Sequence, residues 1–290
     1  MIIMKSLKYI LLIVSSILAF SACSDMANVD SNQTGTLSVT LTDAPFPIDL
    51  VSEANVTITK IDIRNKDSET DGTEEEEVDE ESFTTLTETE QSFNLLDFQN
   101  GVKTSLVDLE IEAGTYDLVR LYVSEASVTL NDGTTYDLTV PSGAQTGIKV
   151  FINPNIEVAG GLSSELLLDF EVASSFIVQG DMNSPDGING FTFKPTIKAV
   201  NTSTAGRIEG FVTDTSGNPL ENAEVLVFTD SDTSQAFTES NGYYSIISLD
   251  AQTYTVEATT SDTETLTVPD VEITAANSTS LDLELTPLEN

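Results

Sequence analysis

The sequence predicts an all-β protein with two antiparallel, β-sandwich-like domains after a signal peptide. Three observations predict this class. Apolar and polar residues alternate with a period of two along most of the chain, as in half-buried antiparallel strands. Threonine and valine are abundant in these segments, and both favour extended backbone. No segment after residue 23 carries a convincing amphipathic-helix pattern.

The first 22 residues have the organisation of a signal peptide. A short basic start contains Lys5 and Lys8, and an apolar run, Tyr9–Phe20, follows it. Because a membrane-spanning helix needs about 20 apolar residues, this run is too short to span and fits a signal-peptide core. The triplet Ser21-Ala22-Cys23 resembles the lipobox of bacterial lipoproteins, although Phe20 stands where leucine is usual. The alternative is an ordinary signal peptide cut near Ala22, with Cys23 unmodified.

The lipobox resemblance implies cleavage before Cys23 and acyl chains on its sulfur. Two or more acyl chains hold a protein stably on a membrane. We therefore expect a membrane partner reached through a lipid anchor, with residues 23–34 as a lipidated tether. Ser24 follows the cysteine, without the aspartate that marks inner-membrane retention in some Gram-negative bacteria. The expected location is the cell envelope, at the outer membrane of a Gram-negative bacterium.

Composition narrows the function classes. The chain has 48 acidic and 11 basic residues and a net charge of −37, which disfavours nucleic acid and anionic lipid as partners. Cations, neutral glycans and basic proteins remain plausible partners. The chain has no histidine and one cysteine, which excludes Ser-His-Asp and Cys-His catalysis, histidine-bound metals and internal disulfides. We expect no enzymatic activity and no cofactor, with calcium as the exception considered below.

The body of the chain shows several local signals. Leu37, Val39 and Leu41 alternate with polar residues, as do Val119, Leu121 and Val123. The alternation slips by one residue between Ile58 and Ile61, which predicts a β-bulge near Thr59-Lys60. Asn131-Asp132-Gly133 between two strand patterns predicts a hairpin turn. Weak patterns at 48–54 and 95–106 allow short helices.

A small polar stretch, Asn201–Ala205, predicts a linker between domains at 35–200 and 206–287. The first domain contains a series of short motifs in a fixed order: Gly35–Pro45, Asn94–Phe98, Ala113–Tyr116, Arg120–Val123, Pro141–Gly143, Gly147–Lys149, Leu168–Phe170 and Phe193–Pro195. In these motifs the domain resembles domain-of-unknown-function family 4382, found in bacterial lipoproteins. The resemblance implies an exported β domain and no particular chemistry.

The second domain contains the motifs Gly206–Asp214, Gly217–Leu220, Ala223–Val225, Glu239–Tyr244 and Thr253–Ala258. In these motifs it resembles the carboxypeptidase regulatory-like fold, a transthyretin-like β-sandwich, although Gln252 stands where that fold usually has glycine. The resemblance implies either a spacer module or a glycan-binding module, because the fold is grouped with carbohydrate-binding-like sandwiches. Fold alone does not decide between them.

Two segments approach the pattern of a calcium loop, in which oxygen ligands alternate before a glycine. In the first, Asp67, Glu69 and Asp71 precede Gly72, but Val78 stands where a bidentate glutamate is expected. In the second, Asp181, Asn183 and Asp186 precede Gly187, with one residue more than the pattern allows. The competing interpretations are a solvated acidic loop for the first and a hairpin loop built on Pro185, Asp186 and Gly187 for the second.

Two weaker expectations concern side chains in the domains. Lys149 and Lys194 are candidates for ion pairs with an acid such as Asp169. Of the adjacent Tyr243 and Tyr244, one should face the core and the other solvent, where it could stack on a sugar. The function predicted from all of these features is a non-enzymatic lipoprotein that presents β modules to glycans or envelope proteins. The alternatives are a purely structural spacer and a calcium-dependent adhesin.

Overall fold

The computed structural model describes residues 33–44, 50–66, 82–140, 145–181 and 185–288. Strands dominate, and the all-β class is confirmed. Three short helical segments have described bounds: the 3-10 turns Leu95–Phe98 and Pro185–Gly187 and the four-residue α-helix Val172–Ser175. In this part of the chain no helix is both long and apolar enough to cross a membrane.

Twelve strands belong to the first domain. They are β1 (Thr34–Ala44), β2 (Val51–Asn65), β3 (Phe83–Thr87), β4 (Gln91–Asn94), β5 (Thr104–Glu112), β6 (Gly114–Leu130), β7 (Thr135–Leu138), β8 (Ile148–Val158), β9 (Ser163–Glu171), β10 (Phe176–Gly180), β11 (Ile188–Phe193) and β12 (Ile197–Asn201). Ten form one sheet in the order β3-β2-β6-β8-β12-β9-β1-β5, with β4 on β2 and β7 on β6, while β10 and β11 form a separate hairpin. Most pairs are antiparallel, but β1 with β9 and β8 with β12 are parallel.

The large sheet curves around a single hydrophobic core. Alternate residues of strands from both halves of the sheet, such as Leu37 on β1, Ile61 on β2, Val119 on β6 and Leu168 on β9, are almost fully buried in one cluster. The two ends of the sheet also approach each other, because Gln91 Nε2 donates to the carbonyl of Leu106 at 3.2 Å. The predicted alternation thus separates a closed interior from an outward surface.

Eight strands form the second domain. They are β13 (Ala205–Asp214), β14 (Glu224–Phe228), β15 (Thr233–Phe237), β16 (Tyr243–Asp250), β17 (Thr253–Thr259), β18 (Leu266–Glu272), β19 (Ser278–Ser280) and β20 (Leu283–Leu285). One sheet has β13 between β16 and the short strands β19 and β20, which pair with it in parallel, and the other has the order β15-β14-β17-β18. A second core cluster, including Val212, Val225 and Tyr244, lies between the two sheets as in a β-sandwich.

Only three residues, Thr202–Thr204, separate β12 from β13. Asn201 Oδ1 accepts hydrogen bonds from the backbone nitrogen and the hydroxyl of Ser203 at 3.1 and 2.7 Å. The hydroxyl of Thr202 donates to the carbonyl of Glu165 on β9 at 3.2 Å. The connection between the domains is therefore a bonded turn.

The local sequence signals have different outcomes. The hairpin at Asn131-Asp132-Gly133 is confirmed, because β6 and β7 pair on either side of it and Gly133 has a φ of 87°. The bulge near Thr59-Lys60 is confirmed by a register shift between Ile58 and Lys60. The helix prediction at 48–54 is wrong from Val51 onward, where β2 begins, because this segment pairs with β6. At 95–106 the helix is limited to the turn Leu95–Phe98.

Candidate binding cleft between the domains

A cavity of about 300 Å³ lies where the second domain packs against the outward surface of the large sheet. The first domain contributes polar side chains of β1, β9 and β12 and the loop before β5. The second contributes β15 and β16. Its wall includes Asn100, Asp169, Glu171, Lys198 and Ser245. We call this cavity the interdomain cleft.

Lys198 is the charged centre of the interdomain cleft. Its Nζ lies 3.1 Å from Oε1 of Glu171 on β9 and 3.0 Å from Oδ1 of Asp232, which belongs to the turn before β15 of the second domain. Burial disfavours the ammonium charge, but the hydrogen bond to Asp232 and the carboxylate of Glu171 outweigh it and raise the pKa of Lys198. Lys198 stays protonated and joins the two domains electrostatically.

Asp169 lies directly opposite Lys198 in the β9–β12 ladder. The residue as a whole is half-buried, but its Oδ1 has almost no contact with solvent and no hydrogen-bond partner among the described residues. Burial raises the pKa of Asp169 to about 6, while the positive charge of Lys198 acts in the opposite direction. The hydroxyl of Ser248 on β16 also acts on this carboxyl and lowers its pKa, but neither Ser248 Oγ nor Asp169 Oδ1 makes a hydrogen bond of 3.5 Å or less to a described residue. Because a buried acceptor left without a hydrogen bond is costly, Oδ1 can still accept one from a ligand.

The loop before β5 completes one wall of the interdomain cleft. Oδ1 of Asn100 is also buried without a hydrogen-bond partner in the described part of the chain. Gly101 follows with a φ of 78°, and a Cβ atom there would lie 3.0 Å from Oγ of Ser245 on β16. Only glycine allows both this backbone conformation and this approach to the second domain without strain. The cleft therefore combines two unsatisfied acceptors with a tightly packed wall.

The second predicted calcium loop joins β10 and β11. Asp181 and Asp186 are both exposed, and the backbone nitrogen of Asp181 donates to the carbonyl of Gly187 at 2.8 Å. Pro185–Gly187 forms a 3-10 turn, as a hairpin loop would need. Asn183 lies outside the described residues, so calcium binding here stays a prediction. Within the described ranges, no three acidic or thiol side chains form a group that could hold a metal.

Several other predicted residues lie outside the described part of the chain. They are the lipidation site Cys23 and the first calcium loop with Asp67, Glu69 and Asp71. Lipid attachment and calcium binding at these positions stay predictions.

The expectations for individual side chains are partly confirmed. Tyr244 is fully buried in the second core, whereas Tyr243 faces outward and packs edge-on against Phe211, with ring centroids 5.6 Å apart. The expected partners of Asp169 are wrong, because Lys198, and not Lys149 or Lys194, lies across from it. The sequence could not reveal Lys198, since the order of β9 and β12 in the sheet brings this pair together.

The comparisons with known proteins concern both domains. Residues 34–195 match the model of the family described as Domain of unknown function (DUF4382). The chain belongs to this family. Residues 207–286 match the Carboxypeptidase regulatory-like domain, so this DUF4382 protein carries a second β module at its C-terminal side. A search of curated proteins found no match to the chain.

Three solved structures illustrate what this DUF4382 protein is similar to. A protein of Bacteroides uniformis described as carbohydrate-binding is 17% identical, with 28% of this chain and 41% of that chain covered and a TM-score of 0.25. A cohesin–X-dockerin complex of Acetivibrio cellulolyticus is 26% identical, with 28% and 56% covered and a TM-score of 0.24. The minor pilin of Streptococcus agalactiae is 10% identical, with 87% and 97% covered and a TM-score of 0.25. These TM-scores are low, so the three structures share little of their overall arrangement with this chain.

Proposed function

We propose that this chain is a non-enzymatic, lipid-anchored protein of the cell envelope whose two β domains bind a carbohydrate in the interdomain cleft. The observation that carries the proposal is the pair of buried acceptors, Asp169 Oδ1 and Asn100 Oδ1, in the wall of a cavity of about 300 Å³. Small-ligand sites start at roughly this volume and carry a few precisely placed polar groups.

The chemistry of the interdomain cleft favours a neutral ligand rich in hydroxyl groups. Sugar hydroxyls are hydrogen-bond donors and can satisfy both acceptors, which removes the cost of leaving them unpaired. A metal cation fits less well, because the ammonium of Lys198 already neutralises the carboxylates beside it. None of the described residues in the cavity wall is aromatic, so hydrogen bonds and not ring stacking would hold the sugar.

A lipid anchor at Cys23 would place the protein at a membrane surface. The lipobox-like triplet ends at Cys23, and this cysteine is the only one in the chain. A lipid on its sulfur would hold the two domains in the envelope, where glycans are accessible. The family match to the Carboxypeptidase regulatory-like domain supports a binding or assembly module and names no reaction.

The test is calorimetric titration of soluble 24–290 with neutral oligosaccharides selected on a glycan array, run with calcium and with chelator. We expect calcium-independent binding that weakens about tenfold in Asn100→Ala, the cost of one lost hydrogen bond to a buried group. Asn131→Ala, in the exposed hairpin, is the matched control. Absence of any sugar binding would leave a structural spacer, and binding abolished by chelator would instead favour a calcium-dependent adhesin.

A further inference from the structure

The outward side of β16 extends beyond the wall of the interdomain cleft. Tyr244 and Ile246 point into the core of the second domain, so Tyr243 and Ser245 face the other way. Ser245 is buried beside Gly101 of the first domain and forms part of the cleft wall. Tyr243 is the next outward residue, about 7 Å farther along the strand. The cleft wall and Tyr243 therefore belong to one continuous surface.

Two aromatic rings lie side by side on this surface. Phe211 on β13 is directly opposite Tyr243 in the ladder, and the planes of the two rings meet at 60°. Phe211 is 46% exposed. We call the pair the aromatic platform. A lone exposed aromatic residue is ordinary, but here the edge-on contact fixes both rings, so they lose little side-chain entropy when a ligand packs on them.

Polar groups border the aromatic platform. The hydroxyl of Tyr243 donates to Oε2 of Glu209 at 3.3 Å, and Nε of Arg207 lies 3.6 Å from the same oxygen. On the other side, Oδ1 of Asp282 accepts a hydrogen bond from the backbone nitrogen of Phe211 at 2.9 Å. Two carboxylates thus stand beside one guanidinium, which disfavours an anionic ligand. Rings bordered by donors and acceptors suit a neutral ligand with an apolar side and hydroxyls at its edge.

A side-chain contact also connects the aromatic platform to the interdomain cleft. Burial raises the pKa of Tyr243, and the hydroxyl of Ser245 lies close enough to the phenol to act on this pKa in the opposite direction. The phenol of Tyr243 therefore points along the strand toward the cleft wall. The two places also complement each other chemically, because the described cavity wall offers buried acceptors and no ring, whereas the platform offers rings.

We infer that the aromatic platform is a second subsite of the interdomain cleft, so that the ligand is a neutral oligosaccharide of several rings and not a single sugar. One ring donates hydroxyls to Asp169 and Asn100 in the cavity, and a ring farther along the same chain packs on Phe211. A sugar ring fits both places, because its hydroxyls lie around its edge and its C–H groups form apolar faces. This inference rests on the proposed function, since it takes the cleft as the first subsite.

The experiment titrates soluble 24–290 with cello-, malto-, manno- and xylo-oligosaccharides of one to about six rings. In a series that binds, we expect the affinity to rise with chain length until both subsites are filled and then to stay constant. Phe211→Ser should weaken the longest oligosaccharides about fivefold, as expected when roughly half of a phenylalanine side chain leaves water. It should leave the shortest ligand that binds unchanged, whereas Asn100→Ala should weaken every length about tenfold.

Two matched variants control for the loss of an exposed ring. Phe151→Ser makes the same substitution at a ring of the first domain that is 66% exposed, and it should bind every length like the parent. Phe211→Tyr keeps an aromatic ring on the platform and should keep the tight binding of the long oligosaccharides. Because Phe211 and Phe151 are exposed, the thermal midpoints of all three variants should match the parent.

The outcomes separate this inference from the proposed function. Binding that needs Asn100 but is equally tight at every length and in Phe211→Ser would reject the second subsite and leave the interdomain cleft as a binding site. Weaker binding in Phe211→Ser with no effect of Asn100→Ala would show an aromatic site independent of the cleft and would also overturn the inference. If no series binds, the inference fails together with the proposed function on which it rests.

Discussion

Lys198 on β12 and Asp232 in the second domain lie 3.0 Å apart, measured from Nζ to Oδ1. Of the ion pairs among the described residues, this one joins the two domains. The same ammonium contacts Glu171 on β9, so one side chain links strands of both domains. The contact holds the walls of the interdomain cleft at a defined separation.

Replacing Lys198 with alanine should loosen the contact between the domains. The side chain is 39% exposed, so we expect a loss of only about 1 kcal/mol in the free energy of unfolding. The clearer effect should be faster proteolytic cleavage within 201–205, with a larger radius of gyration in small-angle scattering. Lys194→Ala removes an exposed lysine that forms no ion pair with a described residue and is the control. Unchanged cleavage in Lys198→Ala would show that the bonded turn alone fixes the domains.

Asp169 should make stability depend on pH. Its pKa rises from an ordinary 3.8 to about 6 in the folded chain, chiefly through burial, so the folded state binds the proton more tightly. The stabilising contribution is therefore complete below about pH 4 and is lost as the pH rises through about 6. Asp169→Asn removes the ionisation and should melt several degrees higher than the parent at pH 7.5.

The difference in melting midpoint between the parent and Asp169→Asn should become smaller at pH 4.5, where both side chains are neutral in the folded state. Melting midpoints between pH 4.5 and 8 measure this. Asp186→Asn, at an exposed position of the β10–β11 hairpin, makes the same chemical change and should show no such pH-dependent difference. A difference in melting midpoint between Asp169→Asn and the parent that stays the same at every pH would contradict the raised pKa of Asp169.

Gly101→Ala should destabilise the protein more than Gly133→Ala. Both glycines have a positive φ, 78° and 87°, so each substitution costs about 1 kcal/mol through the backbone. A Cβ at Gly101 would also press on Oγ of Ser245, whereas a Cβ at Gly133 meets nothing within 4 Å. Chemical denaturation measures the free energy of unfolding of each variant, and the difference between the two losses gives the contribution of the contact between the domains. Equal losses in the free energy of unfolding would mean that the Ser245 side chain moves away from the added methyl group without cost.

Cys23→Ala should abolish membrane association. Without the thiol no acyl chain can be attached, and the remaining chain should appear in the soluble fraction. Fractionation of cells that express the parent and the variant measures this, and labelling with a radioactive fatty acid reports the lipid directly. Ser24→Ala, at the neighbouring position, is the control for altered export. Membrane retention of Cys23→Ala would contradict the lipid anchor.

Local features of the fold could be predicted from the sequence, because their causes are local. The turn at Asn131-Asp132-Gly133 is set by its own backbone preferences, and the bulge beside Lys60 shows as a slip in alternation. Alternation also predicts which side of a strand is buried, as for Tyr244.

The order of the strands in the sheet could not be predicted from the alternation of apolar and polar residues. A period of two is the same in parallel and antiparallel ladders, so nothing in the sequence predicts that β1 pairs in parallel with β9. The cleft depends on this order, because Asp169 meets Lys198 only when β9 and β12 are neighbours.

The position of β1 has a mechanical consequence. The strand begins at Thr34 and is bonded along both edges, to β5 on one side and to β9 on the other. A pull that arrives from the residues before Thr34 acts along the strand axis and loads both ladders in shear, so many hydrogen bonds must break together. At the opposite end of the chain, β20 is only three residues long. Under tension the protein should therefore unfold first at its C-terminal strand, while the first domain stays folded.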